Sequence, residues 1–266
     1  MSKSSLRTWL LSHVNARAER LYNTPYTTLS ELETYAENTY STLLYLSLSF
    51  LPLNSLTADH LASHIGKAAG IAAVLRGVPL LAFPPPPNHH SVDPSSVAIG
   101  GSGGGSNHSS AGQRRAEGAI MLPLDVMAQH SVHEEAIFRQ GANAPGLKDA
   151  VFQVATRASD HLLTASSMLE NLRRGEDVGH AFELEGQEEF RERGESAGGA
   201  NERTNTARQL EEVVEKGFPV LMQAVGTRLW LDRLEAKGFD SFDAGLRGGE
   251  WRLPWRAWRA WRRKRL

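Results

Sequence analysis

The 266-residue chain balances 29 Lys and Arg against 30 Asp and Glu, for a formal net charge of −1, and 41% of it is apolar. That supplies a core and excludes a uniformly basic or acidic surface, so any charged patch has to be local. There is no cysteine, which excludes disulfides, thiolate nucleophiles and cysteine-ligated metal centres.

The first twenty residues carry Lys3, Arg7, Arg17 and Arg20 against one acid. They read either as an amphipathic targeting segment or as a first core helix with a basic outer face. Leu32, Tyr35, Thr39, Leu43, Leu46 and Phe50 step by three and four, predicting a helix that Pro52 ends. Leu61, Ile65, Ala68, Ala72 and Leu75 predict a second helix, rich in Ala and Gly, that a neighbouring backbone can approach closely. Arg76 is expected to close it beside Gly77, near the terminal carbonyls. The run from Leu43 to Leu53 is too short and interrupted to span a bilayer.

Residues 84–118 are rich in Pro, Gly and Ser and read as a disordered insertion, as do the polar, acidic residues 174–208. Between them Leu147, Val151, Val154, Ala158, Leu162, Ala165, Leu169 and Leu172 form the longest helical stripe. A last long helix is expected from about Pro219 to Lys237, before Gly238. Strand patterns are nearly absent, so the chain reads as all-α, one domain over 1–250 followed by a distinct tail.

That tail, WRLPWRAWRAWRRKRL (251–266), alternates tryptophan with arginine. On a helix opened by Pro254, Trp251, Trp255, Trp258 and Trp261 fall within about 120°, and Arg252, Arg256, Arg259 and Arg263 occupy the adjoining arc. Such segregation suits an interfacial helix on an anionic membrane surface, or a partner contact. The alternative is tryptophans packed on the bundle with solvated arginines. Nucleic acid is not expected, because no recognition motif accompanies the patch.

Elsewhere the chemical signals are thin. Gly100, Ser102 and Gly104 match G-x-S-x-G, but inside a glycine-serine run rather than at a strand–helix turn. His60 and His64 share a helix face without a third ligand and read as a partly exposed structural pair. Asp240 and Asp243, flanked by Gly238 and Gly245, read as turn and cap residues.

Five segments together carry a resemblance: TLSELETYAENTYSTLLYLSL (28–48), ASHIGKAAGIAAVLRGVP (62–79), LPLDVMAQHSV (122–132), LKDAVFQVATRASDHLLTA (147–165) and RLWLDRLEAKGFDSFD (228–243). In order and spacing they resemble squalene/phytoene synthase-like proteins, and within that superfamily the mitochondrial complex I assembly-factor branch. The resemblance implies an isoprenoid-synthase-like helical bundle around a central cavity. The family's enzymes condense prenyl diphosphates on magnesium ions held by two acidic clusters, chemistry that needs carboxylate oxygens. Against the enzymes' second acidic motif, Gln-x-x-Asn-x-x-Arg-Asp, this chain sets Gly70, Ala73, Arg76 and Gly77, and only the arginine agrees. The segment matching the first motif is expected upstream of Met1. The resemblance therefore implies a pseudoenzyme with no catalytic residue, metal or cofactor, working at the matrix face of the mitochondrial inner membrane on complex I subunits or other assembly factors. The alternatives are a prenyltransferase acting on prenyl diphosphates, or a generic membrane-bound helical scaffold.

Overall fold

The computed structural model describes residues 3–51, 55–84, 118–174 and 214–266, and among them every regular element is helical. The segments read as disordered insertions fall almost wholly outside the described residues, as does the G-x-S-x-G match. Helices are labelled α1 (Lys3–Glu19), α2 (Leu29–Ala36), α3 (Thr42–Ser49), α4 (Leu56–Ala82), α5 (Leu124–Gln129), α6 (Glu134–Gln140), α7 (Leu147–Arg174), α8 (214–221), α9 (Gln223–Ala236) and α10 (Leu253–Arg263).

Helix α4 is the axis, packed against α2, α3, α7 and α9. It is the one described helix long and apolar enough to cross a membrane. Leu61, Ile65, Ile71, Leu75 and Val78 on it are nevertheless fully buried in the bundle, as expected of a core helix that is apolar all round. Ser55 caps it, its hydroxyl accepting from Ala58 N at 3.3 Å. The helix does not close at Arg76, as the sequence suggests, but continues through Gly77 and Pro79 to Ala82. Proline at 79 removes one donor, yet the helix remains continuous because both flanking turns pack into the core, with Val78, Pro79 and Ala82 buried.

Between α2 and α3 the chain runs through a π-helical turn, Glu37–Ser41, in which Thr39 and Ser41 are fully buried. Here α4 comes closest. A Cβ added at Gly66 would overlap the Ser41 backbone, and one at Gly70 would lie 2.5 Å from Ala36 Cβ and 2.8 Å from Ala36 Cα. Two glycines one turn apart thus let the helix backbones touch, and the Ser41 hydroxyl donates to Ser63 O at 3.1 Å across the contact. The long stripe on α7 lies against α4, and all eight of its apolar positions are buried.

Helix α1 rests on the π turn and α3 along one edge. Ala16 is buried, Trp9 meets Tyr45 at 5.5 Å and His13 Nδ1 meets Thr39 O at 3.0 Å, whereas Leu10, Leu11 and Val14 remain exposed. The expected last long helix is divided: α8 ends before Met222, a turn residue, and α9 carries on to Ala236. The interruption rotates the chain so that both halves bury their apolar residues, Phe218 and Leu221 before it and Ala224 and Leu231 after it.

The two glycine environments predict opposite effects. Gly66→Ala should lower stability by about 2 kcal/mol, the cost of overpacking against rigid backbone. Gly77→Ala, whose new methyl would meet only Leu81 Cδ1 at 3.9 Å, should raise it by about 0.5–1 kcal/mol. Urea unfolding of both variants checks the pair, and equal effects would contradict the packing described.

Candidate functional site

A cavity of about 430 Å³ lies between α4 and α9, closed at one end by the segment 246–250 and reached by Tyr40 of the π turn. Its α4 wall is made of Ala69, Ala72, Ala73 and Arg76. Small side chains one turn apart hollow out that wall, and the π turn carries Tyr40 to its edge. From α9 come Gln223, Thr227, Trp230 and Arg233.

Arg76 does not cap a helix end. Its guanidinium carbon sits 4.9 Å from the centroid of the Trp230 ring, a cation–π contact across the cavity. Burial pushes the guanidinium pKa down, as does the nearby Arg233, while Tyr40 opposes them; an arginine still remains charged. Arg233 is anchored by Glu250 at 3.7 Å and by the Gly245 and Gly248 carbonyls. The Trp230 indole, 5% exposed, has no acceptor for its Nε1 among the described residues.

Of the four motif positions, Ala73 and Arg76 line the cavity, whereas Gly70 is pressed against Ala36 and Gly77 lies outside the lining. A magnesium ion needs several oxygen ligands, and Gly70, Ala73 and Gly77 offer none from their side chains. Glu250, the one carboxylate lining the cavity among the described residues, is paired with Arg233. No group of three or more His, Asp or Glu suited to an ion occurs among those residues. The lining does not fit the magnesium cluster on which the family's enzymes work.

A polar seam that sequence patterning missed joins α2, α4 and α7. Glu33 on α2 accepts from His161 Nε2 at 2.8 Å and from Arg157, both on α7, and His161 Nδ1 meets His64 Nδ1 on α4 at 3.0 Å. His161 Nε2 is committed to the carboxylate, so the Nδ1–Nδ1 contact needs one ring to donate and the other to accept. One turn along, the Glu37 carboxylate accepts from Ser63 at 2.8 Å and from the Tyr45 hydroxyl, with Lys67 at 3.9 Å. His60 and His64 are both half-buried, and the ring partner of His64 is His161 on α7. The apolar periodicity of α2 and α7 masks this seam, because Glu33 and His161 sit one residue from the counted positions Leu32 and Leu162.

Burial pushes His64 down to about 4, helped by the neighbouring His161, Lys67 and His60 and opposed by Glu37. Burial would raise Glu33, but the hydrogen bonds from His161 and Arg157, with their charges, bring it down to about 2.

The tail forms α10, with Pro254 in its first turn and Lys264 closing it in the left-handed conformation (φ 49°). It seats on α9 through a narrow face centred on the buried Ala260. The tryptophans are not taken into the core: Trp251 is 80% exposed, Trp255 61%, Trp258 47% and Trp261 42%. Trp255 and Trp258 stack at 4.8 Å, and Arg252 and Arg262 cover Trp251 and Trp258. Trp261 alone leans inward, 6.2 Å from Phe218, with Lys264 Nζ at 3.8 Å from its centroid. Arg256, Arg259 and Arg263 lie to the side that faces α9. Asp240 and Asp243 act as turn and cap residues, accepting from Phe242 N at 2.9 Å and Gly245 N at 2.6 Å.

The model of the squalene/phytoene synthase family matches residues 2–82 and 108–184, which takes in α1 to α4 and all of α7. The chain belongs to that family. Among curated proteins it is 34% identical over 159 residues to "NADH dehydrogenase (ubiquinone) complex I, assembly factor 6" of Rattus norvegicus, and 34% to that of Homo sapiens. To the Drosophila melanogaster homolog of that factor it is 33% identical over 167 residues. The rat and human matches cover 60% of this chain and 38% of theirs, and the fly match 63% and 40%. No solved structure matches the chain.

The His64 shift sets a pH dependence. With a folded pKa near 4 against 6.5, the neutral ring stabilises the fold fully above pH 6.5, and that contribution is lost as pH falls towards 4. The Glu33 contribution, with about 2 against 4.5, is lost lower, as pH falls from 4.5 towards 2. His64→Gln should therefore flatten the decline in urea midpoint between pH 6.5 and 4.5. An unchanged slope would remove His64 from the seam.

Proposed function

We propose that this protein is a non-catalytic assembly factor for mitochondrial complex I, built on a prenyltransferase-like helical fold. It is held peripherally at the matrix face of the inner membrane by α10. The observation that carries the reading is the match, at about a third identity, to relatives named as complex I assembly factor 6. The chain spans about two fifths of the length of those relatives.

The cavity supports the same reading. Prenyl transfer requires magnesium to neutralise a diphosphate and release it, and Ala73 and Gly77 stand where the enzymes carry donors. Gly70 at a third such position serves the contact with Ala36. On this reading residues 1–250 form one domain that presents a surface to an assembling subunit or a companion factor. Helix α10 supplies attachment: indoles settle at headgroup level and arginines meet anionic lipid, each worth about 1 kcal/mol near such a surface. A second reading, an enzyme acting on prenyl diphosphates, is favoured only by the retained cavity with Arg76 and Arg233 on its walls.

Deleting the gene and resolving mitochondrial complexes on native gels tests the proposal. Complex I should fall severalfold while isoprenoid products stay at normal levels, and the full chain should rescue it. A chain without residues 251–266 should rescue poorly and shift from the membrane to the soluble fraction. Normal complex I with a missing isoprenoid would reverse the assignment in favour of the enzyme.

A further inference from the structure

Beside α10 lies a second, smaller cavity of about 190 Å³ whose rim carries Arg228, Arg256, Arg259, Arg263 and Arg265. Its floor is apolar, formed by Val225 and Leu229 of α9 and by Ala260. The spacing explains the convergence. Arg256, Arg259 and Arg263 lie within about 60° on α10, and the buried Ala260 brings that flank down onto α9. The chain reversal at Lys264 then returns Arg265 to the same cleft.

Arg228 is committed, donating to Leu266 O at 3.2 Å and to Ser166 Oγ at 3.3 Å. The other four have no carboxylate within ion-pair distance among the described residues. The acids nearby are engaged elsewhere, Glu215 with Lys264 at 3.6 Å and Glu170 with Arg174 at 2.9 Å. Four exposed guanidinium groups share this rim with only the Leu266 end of the chain, already held by Arg228, beside them; they repel one another, and an apolar floor strengthens that repulsion by keeping water from one side. An anion relieves it.

We propose that this cleft binds a phosphate-type oxyanion. Planar guanidinium forks match phosphate oxygens in pairs, and a tetrahedral anion offers enough oxygens for three or four arginines, which a carboxylate does not. The exposed indoles on the neighbouring arc of the same helix make the phosphodiester of an anionic lipid the expected source, and this refinement rests on the membrane role assigned to α10. Inorganic phosphate or diphosphate presents the same chemistry from solution.

The test compares two pairs of substitutions that remove equal charge from the full-length protein: Arg256→Gln with Arg263→Gln inside the cleft, and Arg252→Gln with Arg262→Gln on the tryptophan rings outside it. Arg259→Gln with Arg265→Gln provides a second cleft pair, and thermal melting confirms folding. Binding is measured to phosphatidylcholine vesicles with and without added phosphatidylglycerol, and to inorganic diphosphate by calorimetry. The cleft pairs should weaken binding to anionic vesicles at least about tenfold more than the outside pair. Diphosphate binding that depends on the cleft, without cleft-dependent vesicle binding, would keep the oxyanion site and assign its ligand to solution. If wild-type protein binds diphosphate but no vesicle, the membrane role fails while the site stands. Equal losses for all pairs on vesicles, together with no cleft-dependent diphosphate binding, would overturn the proposal.

Discussion

The structure depends on the contact between two helix backbones at Gly66 and Gly70. Helix α4 packs against α2, α3, α7 and α9, so its position fixes those neighbours, and that position is set by how closely it can approach Ala36 and Ser41. The π-helical turn places Ser41 against Gly66 while carrying Tyr40 to the cavity. Extra-residue turns of this kind re-aim side chains within a helix. The same approach brings Ser63 and His64 within reach of the carboxylates on the α2 side, directly for Glu37 and through His161 for Glu33. Fold, cavity wall and polar seam therefore share one determinant.

This bears on the four positions that the resemblance sets against the enzymes' second acidic motif. Read as a string, the four positions from Gly70 to Gly77 suggest one event, the loss of metal ligands. In the structure they divide. Gly70 is required by packing, Ala73 shapes the cavity wall, Arg76 forms a cation–π contact with Trp230, and Gly77 meets almost nothing. A helix can keep its architectural residues while the residues lining a cavity vary, because the core constrains one face and the site the other. On the proposed reading the bundle persists as a recognition scaffold, and α10 holds it at the surface where assembly takes place.

Much of the fold was legible because α7 and α2 to α3 carry plain helical periodicity, and buried stripes of this kind are dictated by amphipathicity. The end of α4 was not, since Gly77 and Pro79 are strong local stop signals that tertiary burial overrides. The break at Met222 falls three residues after Pro219, which reads as a helix start but lies inside α8. The tail's two arcs were visible, but not which of its arginines would meet Arg228 on α9, a contact that depends on the docking of Ala260. The seam was hidden for a different reason: Glu33, His64 and His161 are distant in sequence, and each looks like an ordinary polar position on its own helix.

The central claim is that this family fold retains its cavity without the carboxylate chemistry that prenyl transfer requires. The most direct measurement is calorimetric titration of the full-length protein with a prenyl diphosphate, with and without magnesium, while free diphosphate is monitored. The account predicts that magnesium leaves any binding unchanged and that no diphosphate is released. Magnesium-dependent binding with release of diphosphate would contradict it and make the protein an enzyme.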